Sequence, residues 1–147
     1  MSQPNIGKVL ELFISIKGKD RESRDEILVD ENGIIEDKFY AKNQERSILI
    51  TSNDSYILAK NNNIDTNYGT LGENILIDIN PYNLSVNDKI IIGTVELIIT
   101  QNCTICNSLS KVDVKLPALL KCDRGIFAKT LQSGKIRKGN KVKILKY

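Results

Sequence analysis

KIIIGTVELIITQ, residues 89–101, sets the pattern for the whole chain. Two short runs rich in isoleucine and valine meet at Gly93 and Thr94. Short runs of β-branched residues, bounded by glycine, asparagine and aspartate, are typical of the strands of a barrel or a sandwich. The stretch therefore predicts two strands, at residues 89–93 and 95–101.

The same composition recurs on both sides of this stretch. It predicts further strands at residues 6–17, 26–30, 47–52, 74–79 and 141–147. No regular alternation of strands with long helices is present, which argues against a doubly wound parallel sheet. The charged stretch at residues 17–26 is interpreted as an exposed mobile loop.

Two short helices are predicted between these strands. The first lies in residues 53–63, where Ser52 or Asn53 is a suitable N-cap. The second starts near Leu116, because proline is tolerated only in the first helical turn, and it ends before Gly125. The sequence thus predicts a mainly β protein with a few short helices.

Length and charge narrow the range of functions. The chain has 147 residues, which predicts one domain, 1–147. Its 21 basic and 18 acidic residues give a net charge of +3. The basic residues are scattered except in residues 134–147, whose alternating pattern predicts an outer strand with solvated lysines. We therefore expect no nucleic-acid partner.

The chain carries no recognisable targeting or membrane signal. Its first twenty residues lack the apolar block and cleavage site of a secretory signal. No stretch approaches the roughly 20 apolar residues that span a bilayer. We therefore expect no membrane partner and a cytoplasmic location, where the three cysteines stay reduced.

The cysteines are the first candidates for chemistry. Cys103 and Cys106 form a CxxC pair, Cys122 follows, and the chain has no histidine. A structural zinc site usually needs four Cys or His ligands, so no zinc site is expected. The polar flanks of the pair indicate a loop at a strand end. The residues alone leave open a reactive thiolate or two packing side chains.

Other candidates lie at strand ends. In GTLGENILI, residues 69–77, Glu73 and Asn74 either line a strand mouth or are solvated turn residues. Arg46 precedes a strand and offers a planar fork for an anion, or it pairs with a nearby carboxylate. Lys38 lies in the loop before Arg46, and Arg124 is either a charge near the end of the second helix or a second group that binds an anion.

These stretches together resemble the MOSC domain, the C-terminal module of molybdenum cofactor sulfurases. The likeness is carried in order by GIIEDKFY, ERSILIT, GTLGENILI, NDKIIIG, the TQ segment with its cysteines, and RGIFAKTL followed by GKIRKGNKVKIL. It covers residues 6–145 and is greatest for the family's small stand-alone members. It implies a bent β-barrel of the MOSC, pyruvate-kinase-barrel-like type with two or three short helices.

The resemblance also implies a function and a site. The cofactor is expected to be the molybdenum cofactor, molybdopterin. By position Cys106 is the family's sulfur-carrying or molybdenum-ligating cysteine, with Cys103 as an additional catalytic candidate. Arg46, Glu73 and Asn74, with Lys38 and Arg124, are expected to bind the cofactor.

Three functions are compatible with this resemblance. The first is a sulfur carrier that takes sulfur from a cysteine desulfurase and passes it to a molybdoenzyme, a sulfurtransferase-like activity through a cysteine persulfide. The others are a molybdenum-dependent reductase of N-hydroxylated compounds and a non-catalytic cofactor chaperone. Pyridoxal phosphate is expected only on the partner desulfurase.

Overall fold

The fold is built from eleven strands and one α-helix in the described part of the chain. The computed structural model describes residues 6–19, 21–102, 115, 119–120 and 125–146. The strands are β1 Ile6–Ile14, β2 Glu22–Arg24, β3 Glu26–Asp30, β4 Gly33–Ile34, β5 Ile48–Ser52, β6 Ile75–Ile77, β7 Lys89–Ile92, β8 Val95–Asn102, β9 Ile126–Gln132, β10 Gly134–Arg137 and β11 Lys141–Leu145. A 3-10 turn, Gln44–Arg46, precedes β5, and α1, Asn53–Asn61, follows it.

Seven strands close into a barrel. Their order is β11, β7, β8, β9, β5, β6, β1, and pairing of β1 with β11 closes the ring. All neighbouring pairs are antiparallel except β5 with β6, which run parallel. The predicted fold class, a mainly β protein built on a barrel, is confirmed.

Buried and exposed residues alternate along several strands, and this alternation explains how the barrel core is filled. In β11 Val142 and Ile144 are buried, whereas the residues on either side of each are exposed. A strand presents successive side chains to opposite faces, so this pattern gives one apolar face towards the barrel interior. The interior is filled mainly by isoleucine, whose branched side chain suits a pleated strand.

The parallel pair needs a covered crossover. β5 and β6 are buried on both faces, and a parallel connection has to cross over the sheet. The chain does so through α1 and the loop after it, which pack against the outer face of β6. The contacts form a second apolar cluster, which contains Tyr56, Ala59, Ile64, Leu71, Leu76 and Leu120.

A smaller sheet and one extra strand lie outside the barrel. The small sheet has the order β10, β3, β4. Strand β2 pairs with the end of β1 through Leu12 and Arg24. The prediction of a loop throughout residues 17–26 was therefore wrong at Glu22–Arg24, since backbone pairing with β1 ordered a stretch that has no apolar side chains.

The predicted first helix is confirmed as α1, with Ser52 as its N-cap: the Ser52 hydroxyl accepts a hydrogen bond from the Asp54 N–H at 3.1 Å. The predicted second helix falls largely outside the described residues. Among the residues that are described, no helix has the length and hydropathy needed to cross a membrane.

Candidate functional site

Strands β8 and β9 frame the segment that contains the cysteines. Asn102, which directly precedes Cys103 in the sequence, pairs with Ile126, and Ile126 pairs with Ile50 of β5. The chain therefore leaves and re-enters the barrel beside β5. Four sequence candidates lie between these points and outside the described residues: Cys103, Cys106, Cys122 and Arg124.

Arg46 lies on the outer surface next to this point. Its guanidinium carbon is 4.7 Å from the centroid of the Phe127 ring, a cation–π arrangement. Phe127 is itself opposite Gln101, one residue before the end of β8. Arg46 is exposed, and no carboxylate in the described part of the chain pairs with it, unlike Arg24 and Arg137.

The 3-10 turn that carries Arg46 is fixed at several points. The Asn43 side chain accepts a hydrogen bond from the Glu45 N–H at 3.0 Å. The Thr100 hydroxyl donates to the Glu45 carbonyl, and Lys129 pairs with the Glu45 carboxylate at 3.1 Å. These contacts join the turn to β8 and β9, so the position of Arg46 follows from the barrel itself.

Lys38 lies in the exposed turn after β4. Its Nζ is 5.0 Å from the centroid of the Phe39 ring. Its side chain lines a shallow depression together with Ile16, Gly18 and Lys19. The Lys38 N–H donates to the Ser15 carbonyl at 2.7 Å, which ties the turn to the end of β1.

Glu73 is enclosed beneath the loop that precedes β6. Its side chain has no exposed surface. The Tyr56 hydroxyl lies 2.8 and 2.7 Å from its two oxygens, and the Gly69 N–H donates to Oε2 at 2.9 Å. The carboxylate therefore fixes the Gly69–Gly72 turn, in which both glycines have positive φ.

Asn74 and Asp37 form a buried polar pair next to Glu73. The Asn74 amide donates to Asp37 Oδ1 and to the Phe13 carbonyl, both at 3.2 Å, and its oxygen accepts from the Leu49 N–H at 3.0 Å. Asp37 Oδ1 accepts from the Ser15 N–H at 2.7 Å. One buried pair thus links β1, β5, the turn of Lys38 and the start of β6.

The described candidates fall into two groups. Arg46 and Lys38 are exposed cations, whereas Glu73 and Asn74 are buried and bonded to the protein. Their roles towards a cofactor stay predictions. The residues that sequence reasoning missed are the internal partners. Tyr56 has no sequence signal beyond its place in a predicted helix, and Asp37 has none beyond a carboxylate nine residues before Arg46.

Arg21 is also part of this region. Its guanidinium donates to the Glu73 carbonyl at 3.1 Å. Burial raises the pKa of the Glu73 carboxyl, and the charge of Arg21 opposes that rise in small part. Arg21 lies in the charged stretch before β2, where the sequence offered nothing to separate it from its neighbours.

The buried carboxyl of Glu73 predicts a pH-dependent contribution to stability. Burial raises its pKa, and the hydrogen bonds from Tyr56 and Gly69 oppose this shift only in part. A raised folded-state pKa means that the folded protein binds the proton more tightly than the unfolded chain. The contribution of Glu73 to the free energy of unfolding is therefore complete below the pKa of the unfolded chain, about 4.3. It is lost as pH rises through the pKa of Glu73 in the folded protein.

Glu73→Gln isolates this effect, since glutamine stays uncharged. We expect the free energy of unfolding of the wild type, relative to Glu73→Gln, to fall as pH rises from about 4 to 8. Urea titrations at several pH values measure it, with Glu31→Gln at an exposed position as the control. A difference that stays constant with pH would contradict the raised pKa.

Side chains that commonly bind metal ions are dispersed in the described ranges. Within the ranges given above, no group of three or more Cys, Asp or Glu side chains is arranged to hold a metal ion. The cysteines at 103, 106 and 122 are outside those ranges.

Comparison with known proteins agrees with this architecture. The YUAD protein from Bacillus subtilis superposes with a TM-score of 0.79 at 17% identity, covering 97% of both chains. YiiM from Geobacillus stearothermophilus gives 0.68 at 15% identity, covering 95% of this chain and 73% of that one. YiiM from Escherichia coli gives 0.68 at 16%, covering 95% and 70%. These likenesses concern the fold. No curated protein matches the sequence significantly.

The sequence match identifies the family. The MOSC domain profile matches residues 36–143, which include β5 to β10, the turn of Lys38, Arg46 and the GENILI stretch. This match extends over more than half of the chain and agrees with the barrel and with the order of its motifs. The chain belongs to the MOSC domain family.

Proposed function

We propose that this protein handles the molybdenum cofactor and that Cys106 carries sulfur for it. The family is associated with this cofactor. The observation that carries the proposal is the exposed Arg46, which is held over Phe127 next to the strands that lead to the cysteines. A fixed cation and a thiol are the two kinds of group that suit a phosphate-bearing, sulfur-binding metal cofactor.

The described residues suit the phosphate end of the cofactor. The guanidinium of Arg46 presents N–H groups in a fork that matches phosphate oxygens. Lys38 adds a second exposed cation. Glu73 and Asn74 hold the backbone beneath the site in this proposal, because their polar atoms already bind Tyr56, Leu49 and Asp37. When bound, the cofactor would supply a molybdenum centre able to accept a sulfur ligand.

The sulfur step uses the Cys106 thiolate. The thiolate attacks the outer sulfur of a persulfide on the donor protein. A new S–S bond forms at Cys106, the donor's S–S bond breaks, and the donor cysteine leaves as a thiolate. No external oxidant or reductant is needed, and Cys106 then holds one transferable sulfur.

The proposal also includes two partner proteins and a cellular location. A cysteine desulfurase supplies the sulfur and a molybdoenzyme receives it. We place the reaction in the cytoplasm, where thiols remain reduced between turnovers. In this scheme Cys103 either attacks the Cys106 persulfide or takes no part in the reaction. Single cysteine substitutions distinguish these two roles.

Arg46→Ala tests the cofactor-binding part. We expect affinity for purified molybdopterin to fall about 30-fold, because a charge-assisted bond to phosphate contributes on the order of 1.5–3 kcal/mol. Fluorescence titration of the cofactor measures it. The molybdenum and pterin that copurify from a cofactor-producing host give a second readout.

Arg137→Ala is the matched control. Arg137 is an exposed arginine on β10 that faces Glu26, so its removal also costs one positive charge. Binding by Arg137→Ala should equal that of the wild type. Equal binding by all three proteins would remove Arg46 from the site.

A further inference from the structure

The outer face of three neighbouring barrel strands is unusually rich in lysine. In the strand register Lys8 of β1 is directly opposite Lys141 of β11, and Lys143 is opposite Ile6. On the other side of β11, Leu145 is opposite Lys89 of β7. Residues directly opposite each other on antiparallel strands point to the same side of the sheet. We define the lysine face by six residues, Ile6, Lys8, Lys89, Lys141, Lys143 and Leu145.

These side chains point away from the barrel interior. Val142 and Ile144, which alternate with Lys141, Lys143 and Leu145, are buried in the core. Ile6 is 53% exposed and Leu145 38% exposed. The face therefore combines positive charge with aliphatic surface in the middle of regular strands, where a sheet is rigid.

The positive charge of the lysine face is not neutralised within the described residues. None of its four lysines forms an ion pair there, whereas Lys129, Lys135 and Lys138 each pair with a carboxylate. Two acidic residues lie near the face: Asp78, whose Oδ1 accepts a hydrogen bond from the Lys8 N–H at 2.7 Å, and Glu96, which is opposite Ile91. Like charges directly opposite on a sheet are destabilising, so the Lys8–Lys141 pair lowers the stability of the free protein.

The chemistry of the face favours one class of partner. Its six defining residues include no arginine, the residue best suited to the planar recognition of phosphate, and no aromatic ring on which a base could stack. These six residues also include neither of the side chains, tryptophan and tyrosine, that anchor proteins at a membrane interface. Lysines separated by exposed aliphatic side chains instead complement a protein surface that carries carboxylates with apolar contacts between them.

The face is continuous with the proposed site. Lys89 is opposite Ile98 of β8, and Ile98 is opposite Lys129 of β9. Lys129 lies two residues after Phe127 on β9, so both side chains are on the same face of the strand, and Arg46 covers the Phe127 ring. Three strand spacings of about 4.8 Å separate β11 from β9, so a protein bound to the lysine face extends to the strands that lead to Cys106.

We propose that the lysine face docks a carboxylate-rich surface of the protein that donates sulfur to Cys106. This inference rests on the proposed function, because it takes the sulfur donor as the occupant. Docking brings the donor persulfide to one side of the barrel, and the apolar contacts at Ile6 and Leu145 add affinity that charge alone does not supply.

The test compares two triple variants of the full chain. Lys89→Gln, Lys141→Gln and Lys143→Gln together remove three of the four positive charges of the face and keep most of each aliphatic stem. Lys17→Gln, Lys42→Gln and Lys60→Gln remove the same charge from exposed positions outside it. A cysteine desulfurase with free cysteine is the donor, and mass spectrometry follows persulfide formation on Cys106.

We expect the second-order rate of the face variant to be about tenfold below that of the wild type at low ionic strength. The control variant should match the wild type. Added salt should slow the wild type towards the rate of the face variant, since salt screens exposed charges. Equal rates for both variants and the wild type would overturn the docking inference.

Two further arms separate the possible failures. Inorganic polysulfide needs no docking and should load Cys106 equally in all three proteins. If polysulfide loads all three proteins equally and the desulfurase also loads the face variant at the wild-type rate, the docking inference fails and the proposed function stands. If neither reagent loads Cys106 in any protein, both proposals are overturned. Binding to phosphatidylserine vesicles or to a 20-base-pair DNA duplex is measured for all three proteins at about 0.15 M salt. If the wild type and the control variant bind and the face variant does not, the face is assigned to lipid or nucleic acid instead.

Discussion

Cys106→Ser is expected to abolish persulfide formation by a cysteine desulfurase. Serine has nearly the same shape as cysteine, but its hydroxyl is not ionised near neutral pH and does not attack sulfur, so the loss should be complete. Incubation with desulfurase and cysteine, followed by intact-protein mass spectrometry, detects the added sulfur. If cofactor is bound through the same thiol, molybdenum that copurifies with the wild type should be lost as well.

Single substitutions of the other two cysteines complete this experiment. Cys122→Ser should accept sulfur at the wild-type rate. Cys103→Ser should also accept it, and a longer-lived persulfide in that variant would identify Cys103 as the residue that attacks it. Persulfide on Cys106→Ser at the wild-type level would refute the carrier role of Cys106.

Asn74→Ala is expected to lower the free energy of unfolding by about 3 kcal/mol. The side chain is buried, and its removal leaves the Leu49 N–H and the Phe13 carbonyl without their side-chain partner. Each buried polar group left unpaired costs on the order of 1–3 kcal/mol. The substitution also removes the link to Asp37, which holds the turn of Lys38. Urea unfolding followed by circular dichroism measures the loss.

Asn80→Ala provides the matched control. Asn80 is exposed, and its side chain accepts a single hydrogen bond, from the Tyr82 N–H at 2.8 Å. Water can replace that bond, so we expect a loss below about 1 kcal/mol. Similar losses for Asn74→Ala and Asn80→Ala would show that burial at Asn74 does not set its contribution.

Six of the seven barrel strands were predictable from short runs of β-branched residues, and β9 was not. The predicted strands at residues 26–30, 89–93 and 95–101 correspond to β3, β7 and β8 within one residue. In these three strands the buried residues belong to the apolar pattern of the sequence. β2 was missed because it is paired through its backbone, and β4 and β10 because two to four residues carry too little pattern to recognise. β9 was missed as well, since its first three residues are all buried and show no alternation between buried and exposed side chains.

The strand positions of the candidate residues were predictable, but their contacts were not. Pattern and resemblance selected Arg46, Glu73 and Asn74, and all three lie near the start of β5 or β6. Sequence gives no information on which polar atoms are already bonded. The partners of Glu73 and Asn74 come from residues between 4 and 61 positions away, among them Tyr56 and Phe13, and only the folded chain brings them together.

The ring closure between β1 and β11 has a consequence for folding during synthesis. Ile6 pairs with Lys143, so the pairing that closes the ring has to wait until almost all of the chain described here has left the ribosome. Contacts of such high sequence separation form slowly. Until then β1 exposes an open strand edge, the kind of surface on which partly folded chains associate. Lys8 places a charge on that edge, and repulsion between nascent chains at this position would keep them apart until β11 arrives.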